Sequence, residues 1–67
     1  MFFLSQDSSQ LVDSSRLYIK DNAVYAVIPG SEDLLLAQYE IYGEAQEMLH
    51  KVYTAIEDGE AVFSFEA

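Results

Sequence analysis

Only one stretch of this chain has helical periodicity, and that limits every architecture open to it. Ala45, Met48, Leu49, Val52 and Ile56 fall at i, i+3, i+4, i+7 and i+11, a single apolar stripe flanked by Tyr53. Glu47, His50, Lys51, Thr54 and Asp58 fill the outer arc. Glu44 stands near the N-terminal end, where the helix dipole favours negative charge. Gly59 follows the last periodic residue and suits a C′ cap. The start has no Ser, Thr or Asp cap, only Ile41-Tyr42-Gly43. The spacing predicts a helix over about 42–58. One helix covers one face of one small sheet, so the opposite face is left to solvent or to a partner.

The rest of the chain reads as short strands cut by polar turns. Phe2-Phe3-Leu4 is an apolar run that ends at Ser5-Gln6-Asp7-Ser8-Ser9-Gln10. Leu11-Val12 is either a brief strand or an apolar plug under the loop, and Asp13-Ser14-Ser15 is a second break. From Arg16 to Lys20 the chain alternates strictly, with Leu17 and Ile19 on one face and Arg16, Tyr18 and Lys20 on the other. Asp21-Asn22 supplies two residues that tolerate positive φ, as a two-residue hairpin turn demands. Ala23 to Ile28 is apolar throughout, and Pro29-Gly30 fits the centre of a type II turn. Leu34 to Tyr39 and Ala61 to Phe65 complete the strands.

This order predicts an α+β domain spanning residues 1–67, ββββαβ, with one antiparallel sheet of four to five strands and the helix on one face. The final strand pairs with the first and antiparallel to it, in preference to a parallel pairing beside the fourth. Leu17, Ile19, Val24, Ala26, Ile28 and Phe63 then face the helix. Tyr18, Tyr25 and Val27 form the opposite face, with Phe3, Leu35 and Tyr39 as further candidates for this interface; the Phe2-Phe3 run is too short to fix which of the two faces outward. An apolar and aromatic face of that extent is unusual on a monomer unless the sheet curls over it.

Charge and composition exclude several classes. Twelve acidic and three basic residues give −9 on 67 residues, which opposes direct binding to nucleic-acid phosphates. That charge also weighs against stacking of nucleobases on the five tyrosines. A hydrophobic content of 51% is too high for a disordered tail. No apolar run approaches the roughly 18 residues of a membrane span. The start lacks the basic and apolar regions of a signal peptide, so a cytoplasmic protein is expected. With no cysteine there is neither a disulfide nor a thiolate metal site. A core this small gains from association.

No catalytic, cofactor or metal site is expected. Glu47 and His50 have the Glu-x-x-His spacing of di-iron bundles, but that chemistry needs a second such motif and two further glutamates. A solvated pair on the wet arc is the simpler reading, with Glu47 and Lys51 as an ordinary i, i+4 pair. Glu32-Asp33 and Glu57-Asp58 lack the loop spacing of a calcium site. No serine lies in Gly-x-Ser-x-Gly, and Gly30, Gly43 and Gly59 are too far apart to cradle a phosphate.

Leu36-Ala37-Gln38-Tyr39, Glu44-Ala45, Leu49, Ile56 and Gly59-Glu60-Ala61-Val62, with the Ser5-Gln6 pair, resemble short uncharacterised proteins of low-GC Gram-positive bacteria and their phages. Those proteins carry a Leu-Gly-x-Tyr strand end and a Thr-x-x-x-Ala helix start. Here Ala37 replaces the glycine and Ile41 the threonine. The resemblance implies a strand-rich first half, a helix and a final strand, and it implies no activity.

Two functions follow as expectations. The first is a small non-enzymatic interaction domain that self-associates, as a dimer or higher homo-oligomer, through its second sheet face. The alternative is an acidic regulator, or nucleic-acid mimic, that binds and inhibits a basic partner protein.

Overall fold

A computed structural model describes residues 1–66. These form β1 (Phe2–Leu4), β2 (Leu11–Asp13), β3 (Leu17–Lys20), β4 (Ala23–Ala26), β5 (Leu34–Gln38), α1 (Tyr42–Glu57) and β6 (Val62–Ser64). The fold is α+β, but the strands make two three-stranded sheets, β2-β1-β6 and β3-β4-β5, instead of the expected single sheet. The difference begins at Leu11–Asp13, which pairs antiparallel with β1. This strand adds one chain reversal before the helix. The final strand therefore meets β1, as expected, but runs parallel to it, with Phe3 opposite Phe63.

Two polar residues join the sheets. Ser14 is buried, and its hydroxyl lies 2.9 Å from the Val27 carbonyl and 3.0 Å from that of Arg16. This pins the corner where the chain leaves β2 for β3. Gln6 bridges to the free edge of β5: its N–H donates to the Leu36 carbonyl at 2.7 Å, and its Oε1 accepts the Gln38 N–H at 3.0 Å.

The register of β5 contains a bulge. Val24 faces Ala37 while Tyr25 faces Leu35, so Leu36 is the extra residue. Simple alternation puts Leu35, Ala37 and Tyr39 on one face. The bulge reverses that parity after Leu36, so Leu36 and Ala37 are both buried. Tyr39 consequently packs against the core instead of the outer face. Its hydroxyl is buried without a partner among the described residues, and burial, followed by the Glu44 charge, raises its pKa. Phe3 is likewise a core residue at 2% exposure, and Phe2 is the one turned outward.

The core is continuous across both sheets and the helix. Phe3 and Phe65 from one side meet Val24, Ala26 and Leu36 from the other, closed by Ala45 and Val52 of α1. Phe65 stands edge-on to Phe63, with ring centroids 4.9 Å apart.

The helix matches its predicted span to within one residue. Ile41 is extended at the N-cap, where no side chain caps the helix, and its own N–H donates to the Glu44 carboxylate at 3.3 Å. At the other end Gly59 has φ +75°. The Gly59 N–H donates to Ile56 and the Glu60 N–H to Ala55, which is a Schellman closure. One residue of the stripe departs from expectation: Ile56 is 57% exposed. Sixteen residues of helix span about 24 Å, whereas the four-residue strands beneath extend only about 13 Å. The helix is therefore longer than the strands it packs on, and its last turn carries Ile56 exposed.

In the β1–β2 turn, Asp7 Oδ1 accepts from the Ser9 hydroxyl at 2.7 Å, the Ser9 N–H at 3.0 Å and the Ser5 hydroxyl at 2.8 Å. These bonds, the Ser9 hydroxyl first, lower its pKa from 3.8 to about 2.

Two outcomes follow. Phe65→Ala removes a fully buried ring and costs about 3–5 kcal/mol, enough to unfold much of a domain of this size, whereas Ile56→Ala changes stability by no more than about 0.5 kcal/mol; urea unfolding of both variants checks this. Because the folded pKa of Asp7 is depressed, its contribution is fully present above the ordinary value of 3.8 and is lost as pH falls toward about 2. A carboxyl NMR titration should give the low midpoint, and Asp7→Asn should remove this component of the acid sensitivity.

Candidate functional site

The site begins with a turn. Asp21 (φ 52°) and Asn22 (φ 63°) are both left-handed, as a type I′ hairpin turn requires. The turn sets Lys20 opposite Ala23 and Tyr18 opposite Tyr25, and the Val27 N–H donates to the Arg16 carbonyl at 3.0 Å. In an antiparallel ladder, bonded and non-bonded pairs alternate. The main-chain groups of Arg16, Tyr18 and Lys20 are thus directed at β4, and those of Leu17 and Ile19 point away from it. No described residue hydrogen-bonds those outward groups. The opposite edge of this sheet is covered by Gln6, so β3 is left open.

A trough runs beside that open edge, with α1 as its far wall. It consists of two hollows, of about 430 Å³ and about 360 Å³, that share Leu49 and Tyr53. Leu17, Phe3, Val52 and Ile56 line the larger, with Arg16 at its rim. Ile19, Tyr42, Gln46 and His50 line the smaller. The C-terminal half of the helix supplies exposed apolar surface here, with Tyr53 and Ile56 both more than half exposed.

The electrostatics of the trough differ from those of the chain. None of the twelve carboxylates lines either hollow. Two of the three basic residues, Arg16 and Lys20, bracket the open edge. Neither is in an ion pair; among the described residues the one salt bridge joins the Met1 ammonium to Asp13 at 3.1 Å.

The expected interface residues fare unequally. Tyr18, Tyr25 and Leu35 form a row across the outer face of β3-β4-β5. The two rings stack with centroids 5.5 Å apart and 17° between planes. The Tyr18 hydroxyl donates to the Asp33 carboxylate, which raises the tyrosine pKa. Val27 lies half-buried just past β4, its main chain tied to Arg16 and Ser14. Phe3 and Tyr39, being inside, do not join the row.

His50 is exposed, with its ring 5.9 Å from that of Tyr53. Among the described residues no three His, Asp or Glu side chains converge as a metal site would need. Leu17, Ile19 and Ile56 read as core from their periodicity, so the trough is missed at that level. The available signal is the placement of Arg16 just before β3 and Lys20 at its end in a strongly acidic chain.

Compared with protein-family models, curated proteins and solved structures, the chain has no significant match in any of the three.

The edge geometry predicts an alternation in amide exchange. The Tyr18 and Lys20 amides should be protected and those of Leu17 and Ile19 should exchange rapidly. Amide exchange followed by NMR reads this directly, and uniform protection along β3 would contradict the open edge.

Proposed function

We propose that this chain is a non-enzymatic interaction domain that receives an extended segment of a partner protein as an added strand along β3. The observation that carries this reading is the unpaired edge at Leu17 and Ile19 beside a carboxylate-free apolar trough. In strand addition, main-chain bonds supply affinity and pockets for alternate side chains supply specificity. Both elements are present: open donors and acceptors on β3, and two hollows in line along it. The buried serines support a non-enzymatic role, since Ser5 and Ser14 commit their hydroxyls to local structure.

Self-association is the weaker use of this edge. An antiparallel β3 pair centred on Tyr18 would set Arg16 opposite Lys20 of a second copy, and like charges directly opposite are destabilising. The outer sheet face offers a second copy only the row of Tyr18, Tyr25 and Leu35. A basic partner would read the carboxylates instead. These are all exposed and are spread from Asp7 to Glu66, an arrangement that serves solubility.

A capped neutral pentapeptide, Thr-Val-Thr-Val-Thr, tests strand addition by NMR titration. Binding with a dissociation constant on the order of 1 mM is expected, with shifts and slowed exchange at the Leu17 and Ile19 amides. Ile19→Pro removes one outward N–H at a position where an edge strand tolerates proline. It should abolish binding while preserving the helical circular-dichroism signal. Absence of shifts along β3 at several times that peptide concentration would overturn the reading.

A further inference from the structure

We infer that the strand accepted by β3 is apolar on its inward side and acidic on its outward side, with carboxylates at the two positions beside Arg16 and Lys20. This inference rests on the strand-acceptor reading and adds the chemistry of the partner segment. An added strand shares the pleat of the strand it joins, so its side chains alternate between the two faces that β3 presents. On the inward face they meet Leu17, Ile19 and the trough, which selects apolar side chains. On the outward face they lie beside Lys20 and Tyr18, whose hydroxyl holds the Asp33 carboxylate, and beside Arg16, which precedes β3 and continues its ladder through the Val27 N–H.

Both cations lack an ion-pair partner among the described residues. Cross-strand pairs of opposite charge are favourable and like pairs unfavourable. Arg16 can also take a carboxylate in two parallel bonds. The central outward position lies beside Tyr18, where an aromatic residue extends the Tyr18–Tyr25 stack. The recognised pattern is therefore acidic, apolar, aromatic, apolar, acidic. It reads the same in either chain direction because Arg16 and Lys20 flank Tyr18 symmetrically.

The net charge of −9 opposes an acidic ligand at long range. At 0.15 M salt the screening length is about 8 Å, which removes most of the effect of carboxylates on distant turns; the Asp33 carboxylate, held by the Tyr18 hydroxyl at the centre of the row, remains within range and opposes the two flanking cations. An edge bracketed by cations in a strongly acidic chain selects locally against the chain's overall field.

The test compares three capped pentapeptides at 0.15 M salt, Glu-Val-Tyr-Val-Glu, Thr-Val-Tyr-Val-Thr and Lys-Val-Tyr-Val-Lys, with binding read at the Leu17 and Ile19 amides. The acidic peptide should bind about five- to tenfold more tightly than the neutral one, and the lysine peptide more weakly than either. The double variant Arg16→Glu with Lys20→Glu should reverse that order. Should it fail to fold, Arg16→Gln and Lys20→Gln singly should each reduce the acidic advantage by about two- to threefold. Binding of all three peptides with equal affinity, or with the lysine peptide tightest, overturns the charge assignment and leaves strand addition standing. Binding of none overturns both. Leu17 and Ile19 amides that are protected without peptide, and become fast on dilution, would mean that a second copy fills the edge, which also overturns the partner-segment proposal.

Discussion

Gln6 donates its main-chain N–H to Leu36 and accepts the Gln38 N–H on its side chain, and much of the arrangement depends on this pair of bonds. It holds the β1–β2 turn against β5 at the bulge. The bulge sends both Leu36 and Ala37 inward, so two consecutive residues of one strand enter the core. The same contact brings the sheet of β1 within reach of Val24 and Ala26, where Phe3 and Phe65 complete the interior. It also occupies one edge of β3-β4-β5. An edge strand left bare is a template for pairing, and with β5 covered, the bare edge of that sheet is β3.

The trough follows from a mismatch of lengths. A helix of sixteen residues is longer than the four-residue strands it packs on. Val52 is still buried, whereas Tyr53 and Ile56 are not. A longer β3 would have filled the hollow and turned Ile56 into core. A shorter helix would have removed the far wall. In a chain with so small an interior, apolar side chains held outside it lower solubility without adding stability. Their concentration beside unpaired main-chain groups is therefore the most informative feature of the surface.

What could be read from the sequence was whatever the local backbone decides. Asp21-Asn22, Pro29-Gly30 and Gly59 mark turns through the φ values they tolerate, and Ala45 to Val52 mark a helix face through spacing. Each signal lies within a few residues. The split into two sheets lies beyond that range. It depends on a three-residue strand at Leu11–Asp13, too short to show a period, and on which strand the final segment joins. The faces of Phe3 and Tyr39 are not legible in sequence, for separate reasons: Phe3 sits in a run with no alternation, and Tyr39 follows a bulge that leaves no mark in an unbroken leucine run. The site was missed because Leu17 and Ile19 look the same in sequence whether their strand is central or at an edge. Strand order, which is a tertiary property, makes the difference.

Arg16 and Lys20 link the charge pattern to the edge. Exposed edges invite pairing between copies, and charged side chains, lysine above all, are a common defence. A cationic edge resists another cationic edge. In a chain with twelve carboxylates, acidic side chains could have served that defensive purpose equally well. Acidic side chains there would have made the edge continuous with the rest of the surface. Using two of the three available cations instead gives β3 a sign opposite to its surroundings. The edge is thereby protected against self-pairing and left complementary to a strand of the other sign. On the strand-acceptor proposal, one pair of residues supplies both the discrimination against a second copy and the attraction for a partner, as specificity built from a repulsive and an attractive element requires.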